Sequence, residues 1–251
     1  MNNLVSVIMP YYDKKDYFFE SINSVLNQTH TNLEIIIIYD DENKNDLEHI
    51  KKCIKNDTRV KIIFNDDNKG VSYSRNKAIS IAQGKYIAFL DCDDYWEINK
   101  IEVQLCFMSN HGYDFSHTTY QIINHNGKIV GKIRARKMLK YEELLKSCDI
   151  GLSSVILERK LLGDMKFPKL KTKEDFVLWL GLAKKSVNLA GLDKPLMFWR
   201  KTSNSLSSSL LQKLKDAFKV YYLYEKKNFF YSIFCVVRLS TYALFKKINL
   251  Y

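Results

Sequence analysis

The first hundred residues switch repeatedly between two hydrophobic periods, and that alternation restricts the chain to a small set of folds. Short aliphatic and β-branched runs at Val5–Met9, Glu34–Tyr39, Val60–Phe64 and Tyr86–Leu90 are separated by amphipathic stretches at Phe18–Gln28, Asp46–Lys55 and Val71–Gln83, the last expected to close at Gly84. Such runs read as βαβ units around a sheet covered on both faces, so the expected class is α/β with a mixed, mostly parallel central sheet flanked by helices. In open α/β sheets ligands bind beyond the carboxyl ends of strands. The strand ends fall at Pro10, Asp40, Asn65 and Asp91, which are therefore expected to converge on one site.

After Asp94 the pattern loosens. A helix over Asn99–Asn110, antiparallel strands at Tyr113–Asn124 and Lys128–Arg134, a helix from Tyr141, a strand around Ser153–Leu157 and a helix starting near Glu174 are predicted. Beyond Ser209 the chain turns to Lys, Tyr, Phe and Leu without glycine or proline, which places a boundary near 203–210 and divides the chain into a main domain, 1–205, and a helical extension, 206–251. With 251 residues, 46% of them hydrophobic and 27% charged, the main part can bury a core of ordinary size, and disorder is excluded for most of it. Five cysteines without a CxxC pair suggest neither a disulfide framework nor a zinc site, and they fit a reducing compartment. The segment MNNLVSVIMPYYD lacks a basic leader and reads as a strand, so a cytoplasmic location is expected. The most apolar stretch, Phe229–Phe245, is interrupted by Arg238.

A net charge of +11 points to an anionic partner: nucleic acid, a phosphorylated ligand or an anionic membrane. The residues that carry chemistry favour the second. Asp91, Asp93 and Asp94 stand together at the end of a buried strand, where mutual repulsion raises their pKa values unless a cation neutralises them. An all-oxygen set suits Mn²⁺ or Mg²⁺ with coordination positions left for a diphosphate; the plainer reading is an acidic turn capping the next helix. Asp40, Asp41 and Glu42 follow the second strand, and the segment Asn68–Asn76, with Gly70 and Arg75, opens a helix where an anion can sit. Neither GxGxxG nor GxxxxGK[ST] occurs, so the phosphate grip falls to a metal. Glu174 and Asp175 form a further acidic pair at a helix start, a place where acids also simply complement the helix dipole. The five histidines show no metal-ligand spacing.

Taken in order, VSVIMPYYD, NLEIIIIYDDE, DNKGVSYSRNKAISIAQGKYIAFLDCDDYW and KEDFVLWL resemble the family 2 glycosyltransferases of GT-A fold, over roughly residues 3–205. The resemblance implies a single nucleotide-binding, Rossmann-like domain. It implies that Pro10 and Tyr12 line a base pocket, Tyr12 by stacking, and that Asp40 accepts a hydrogen bond from the base edge, usually uracil. Tyr39-Asp40-Asp41-Glu42 departs from the usual Asp-Asp-Gly-Ser by placing Tyr39 before the matching acid, so Asp41 is the alternative. Asn68, Gly70 and Arg75 would lie by the donor, Arg75 at its diphosphate. Asp91 would face the ribose or donor sugar and share the metal with Asp93, with Cys92 between them. Glu174-Asp175 with Trp179 matches the element that supplies the base of inverting members, which makes Asp175 the candidate base and Glu174 its neighbour in the donor site. Trp199-Arg200-Lys201 with Asn204, Ser205 and Ser207 resembles the loop that closes over the diphosphate. The implied reaction is inverting, metal-dependent transfer from a nucleotide-sugar, typically a UDP-sugar, to a glycan or lipid-linked acceptor of a cell-surface polysaccharide or lipooligosaccharide.

The extension carries Lys213, Lys215, Lys219, Lys226, Lys227, Arg238, Lys246 and Lys247 against Asp216 and Glu225, interleaved with aromatics from Phe218 and Tyr221 to Phe245. That mixture suits an interfacial helix pair on an anionic leaflet, at the inner face of the cell membrane, or a hairpin packed on the domain or on a second copy. A nucleic-acid-binding reading does poorly, since the basic excess sits beside apolar runs and the strand-end site is acidic. A sugar nucleotidyltransferase would need a Gly-rich basic loop after Val5–Met9, and none is present.

Overall fold

The computed structural model describes residues 3–202 and 209–248, the last five as backbone only. Four parallel strands form its first half: β1 (Val5–Tyr11), β2 (Leu33–Tyr39), β3 (Val60–Phe64) and β4 (Tyr86–Phe89), in the order β3-β2-β1-β4. Helices α1 (Lys15–Leu26), α2 (Leu47–Ile54) and α3 (Val71–Ile81) make the crossovers. All seven residues of β2 are buried, because side chains alternate between two cores. Val7, Met9, Ile35 and Ile37 meet Phe18, Ile22 and Val25 of α1 on one face, while Ile8, Ile36 and Ile38 join Ala78 of α3 on the other.

The second half reverses direction. After β5 (Tyr95–Trp96) and α4 (Lys100–His111), β6 (Phe115–Ile123) forms a hairpin with β7 (Ile129–Ile133), and β8 (Met138–Leu139) leads into α5 (Tyr141–Leu144). Then β9 (Ile156–Glu158) inserts antiparallel between β4 and β6, α6 (Glu174–Lys184) follows, and β10 (Leu189–Arg200) runs parallel to β6. The result is one mixed ten-stranded sheet.

Two local expectations change, and one strand is new. The helix α3 stops at Ile81, with Ala82 already extended, so Gly84 does not cap it. Gly84 is instead where two backbones touch: its N–H donates to Ser6 Oγ at 2.8 Å, and a Cβ there would stand 2.7 Å from the Ser6 nitrogen. Around Ser153 the chain makes a short turn, Leu152–Ser154, before the strand proper. The strand β10 was not expected at all, because Asp193, Lys194 and Pro195 interrupt its apolar pattern; register shifts either side of Pro195 absorb them.

At the C-terminal end α7 (Leu210–Lys219), a wide turn at Val220–Tyr224 and α8 (Phe229–Ile248) lie on the domain by one face. Ala217, Val220, Tyr221, Cys235 and Leu239 belong to the same core as Phe176 and Trp179 of α6. Tyr221 is thus a core residue whose hydroxyl donates to the Leu145 carbonyl at 2.9 Å, rather than one of the outward aromatics. Glu225 accepts from the Tyr141 hydroxyl and pairs with Lys184 at 2.8 Å. The opposite face is apolar and open, with Leu211 80% and Phe230 81% exposed. Among the described residues no helix is long and apolar enough to cross a membrane. The 205/206 boundary, Asn204, Ser205 and Ser207 lie outside the described residues, as do the side chains of Phe245, Lys246 and Lys247.

Candidate active site

At the carboxyl ends of β1, β2 and β4 opens a cleft of about 680 Å³, within the range of small-molecule sites. Pro10, Tyr12, Asp40, Asn68, Gly70, Arg75, Asp91, Cys92, Asp93, Asp94, Glu174, Asp175, Trp199 and Arg200 all line it, whereas Asp41, Glu42, Asn65 and Lys201 do not. Of the strand-end residues, Asn65 is the one that serves from behind. Its amide donates to Asp40 Oδ1 at 2.6 Å and to Ser74 Oγ at 3.0 Å.

Asp40 is buried, and backbone N–H groups hold its carboxylate: Lys69 donates to Oδ1 at 2.9 Å and Gly70 to Oδ2 at 2.8 Å. The bond from Gly70 requires φ of +86°, a conformation that suits glycine and not a residue with a Cβ. Oδ1 therefore takes two donors and Oδ2 one, which leaves Oδ2 an acceptor position. Asp41 instead receives the Asn43 N–H at 3.1 Å, outside the cleft. Tyr39, the departure from the usual motif, has a structural task. Its ring stacks on Tyr11 at 5.2 Å, its hydroxyl accepts from the Asp46 N–H, and Tyr11 donates to the Asp46 carboxylate at 2.7 Å, so the two tyrosines anchor the loop after Asp40.

The three acids after β4 divide their work. Asp94 points into the protein, accepting from Ser153 Oγ at 2.6 Å and from the Arg200 N–H at 3.0 Å; burial, with Asp93 and Asp91 nearby, pushes its carboxyl well up. Asp93 faces Lys14, whose ammonium stands 2.9 Å away, and burial raises its carboxyl against that attraction. Asp91, the most open of the three, pairs with Arg75 at 2.6 Å. Cys92 turns away and donates to the Pro10 carbonyl at 3.3 Å, with its thiol raised far above the ordinary range by burial. Arg200 supports this turn from below. Its Nε donates to the Asp93 carbonyl at 3.1 Å, its Nη2 pairs with Glu20, and its guanidinium lies over the Tyr17 ring at 4.9 Å.

Arg75, itself buried, joins the two acidic elements: one Nη meets Asp91 and the other meets Glu174 at 2.5 Å. Burial raises the Glu174 carboxyl and Arg75 opposes it. Asp175 is not tied in this way. Its Oδ1 accepts the next N–H, Phe176, at 2.8 Å, and burial pushes its carboxyl upward while Lys173 and Arg75 draw it down. One carboxylate is thus fixed to a cation, and its neighbour keeps basicity above that of an ordinary aspartate.

Asp91 and Asp93 supply hard oxygen ligands on one turn. Among the described residues no group of three or more His, Cys, Asp or Glu is arranged to hold a metal alone. A two-carboxylate set matches Mg²⁺ or Mn²⁺, which leave most positions to water and phosphate oxygens, so the residues present fit such an ion. Lys14, Tyr120, Cys148, Lys171, Lys173 and Lys213 also line the cleft and were not foreseen as site residues. For Lys14 the signal was its place just after the first strand; for Lys171 and Lys173, the acidic pair that follows them.

Comparison with known proteins agrees with this geometry. The family model for glycosyl transferase family 2 matches residues 6–162. TuaG of Bacillus subtilis (strain 168), a glycosyltransferase provisionally assigned to teichuronic acid biosynthesis, is 35% identical over 246 residues, spanning 98% of each chain. WfgD of Escherichia coli, a UDP-Glc:alpha-D-GlcNAc-diphosphoundecaprenol beta-1,3-glucosyltransferase, is 38% identical over 219 residues, 86% of this chain and 85% of that one. Among solved structures, Staphylococcus aureus TarS 1-349 in complex with UDP-GlcNAc superposes with a TM-score of 0.71 at 23% identity, covering 88% of this chain and 65% of that one. The fold is therefore that of the GT-A neighbours. With a strand-end acidic cleft, a family model matched over more than half its length and TuaG aligned end to end, the chain belongs to glycosyl transferase family 2 and is a glycosyltransferase.

Proposed function

We propose that the protein is an inverting, metal-dependent transferase that moves a sugar from a UDP-sugar to a lipid-linked glycan in cell-surface polysaccharide synthesis. The observation that carries this reading is the meeting of Asp40, Asp91, Asp93 and Asp175 in one cleft. WfgD, by its name, takes UDP-Glc and a diphosphoundecaprenol-linked acceptor, and TarS binds UDP-GlcNAc; both support a UDP-sugar donor and WfgD supports the acceptor class.

In this mechanism the open lone pair of Asp40 Oδ2 accepts from the base edge, and Tyr12, 52% exposed at the mouth, stacks on the base. Asp93 and Asp91 would hold the Mn²⁺ or Mg²⁺, which when bound would offset the charge of the departing diphosphate. Holding it requires Lys14 and Arg75 to give up part of their present pairing. Asp175 takes the proton of the acceptor hydroxyl as that oxygen attacks the anomeric carbon, while Glu174, fixed by Arg75, positions the start of α6. A single displacement inverts configuration. Calorimetric titration with UDP tests the donor site: binding is expected to need Mn²⁺ and to weaken at least about 10–100-fold in Asp93→Ala. Binding that ignores both the metal and the substitution would overturn the assignment.

The acceptor places the enzyme at the cytoplasmic face of the membrane. The outer face of α7 and α8 supports this, with Leu210, Leu211, Phe230, Phe234 and Val237 exposed and Lys215 and Lys226 beside them. The protein is expected to sediment with phosphatidylserine-containing vesicles at low salt, and the Phe230→Ser/Phe234→Ser variant to stay in solution. Equal sedimentation of the two would remove the face from the account.

A further inference from the structure

We propose that Lys171, Lys173 and Lys213 form an anion subsite on the acceptor side of the cleft, and that its ligand is the diphosphate of a lipid-diphosphate-linked sugar. The proposal rests on the glycosyltransferase reading above and adds to it the residues that recognise the acceptor.

The three lysines line the same cleft as Asp175 but come from two distant segments, and a buried carboxylate holds those segments together. Asp216 of α7 is fully buried; its Oδ2 accepts the Thr172 N–H at 3.0 Å, the Thr172 hydroxyl at 3.1 Å and the Gln212 amide at 2.8 Å. Thr172 stands between Lys171 and Lys173, and Lys213 stands one helical turn before Asp216 on the same side of α7. The tether therefore brings Lys213 beside the segment that leads into Asp175. Cations for the donor-side acids are supplied elsewhere, by Lys14 at Asp93 and Arg75 at Asp91.

The chemistry of the acceptor demands a group in this place. In a sugar carried on a lipid diphosphate, the attacking hydroxyl and the anomeric phosphate belong to one ring, so whatever grips the phosphate must sit a ring's breadth from the base. Lys173 precedes Asp175 by two residues. The lipid also needs an exit, and α7 provides a direction for it: the helix that shows Lys213 to the cleft carries Leu210 and Leu211 exposed at its start. Ammonium groups suit this ligand as point charges that tolerate rotation of a flexible diphosphate.

Geranyl diphosphate, titrated calorimetrically into the full chain with EDTA present, separates this subsite from the donor site, which is probed with UDP and Mn²⁺. Lys171→Gln and Lys213→Gln are each expected to weaken geranyl diphosphate binding about tenfold, the loss of one partly solvated charge-assisted contact, and to leave UDP binding unchanged. Lys173 stays in place because it also acts on Asp175. Geranyl diphosphate binding that is absent, or indifferent to both substitutions, overturns the proposal. An equal loss of UDP binding overturns it too, by assigning the lysines to the donor diphosphate. If the unaltered chain binds no UDP, the donor reading fails and the acceptor assignment fails with it.

Discussion

Asp175→Asn is expected to lower kcat by about 10²–10⁴-fold, the usual worth of a positioned general base, while UDP binding stays unchanged. The amide oxygen of asparagine can still accept the Phe176 N–H, now 2.8 Å from Oδ1, so the start of α6 is preserved and only the proton acceptor is lost. Steady-state transfer and calorimetry on the same preparation separate the two effects; full activity in the variant would move the base elsewhere. The pH profile gives an independent check. A base must be ionised to act, and burial raises the Asp175 carboxyl, so kcat should fall as pH drops through a value above the usual carboxylate range. Lys173 lowers that pKa, and Lys173→Met is therefore expected to move the acid limb of kcat to higher pH. A limb that stays in place would show that another group titrates.

Arg75→Met has the largest expected effect on stability. The guanidinium is buried between Glu174 and Asp91, and its removal leaves two carboxylates facing each other, one of them buried, with no cation between. Breaking a buried pair from one side costs about 3–5 kcal/mol, a large share of the roughly 5–15 kcal/mol that holds a domain together. Urea denaturation at neutral pH measures it. Arg75→Lys should recover part of the loss, because one ammonium cannot reach both acids as the guanidinium fork does. A loss below about 1 kcal/mol in Arg75→Met, the scale of exposed pairs, would mean the acids relax apart.

How much of this was legible in the sequence depends on whether the signal is local. The strands β1 to β4 announce themselves by short runs rich in aliphatic and β-branched residues, and Asp40, Asp91 and Asp93 announce themselves because charge at the end of a buried run has few plain explanations. The strand β10 was hidden by Asp193-Lys194-Pro195, which only a partner strand with two register shifts can accommodate. The separate tasks of Asp91, Asp93 and Asp94 were hidden as well, since Lys14, Arg75, Ser153 and Arg200 assign them across the sheet and not along the chain. Asp216 looked like a lone acid diluting a basic tail. Its carboxylate in fact holds Thr172, forty-four positions earlier, a relation that no spacing rule reveals.

The strand order also governs how the protein comes into being. Until β9 is made, β4 has β1 on one side and an unpaired edge on the other, and that edge belongs to a strand whose residues are nearly all buried. β6 in turn waits for both β9 and β10, and Arg200 reaches back to Glu20, 180 positions away, at the very end of the sheet-forming sequence. At ribosomal rates of about 5–20 residues per second, those apolar edges stand open for seconds on a nascent chain. Folding of this enzyme is therefore tied to the emergence of β10, and the interval before it emerges is when the chain most needs shelter from its own kind.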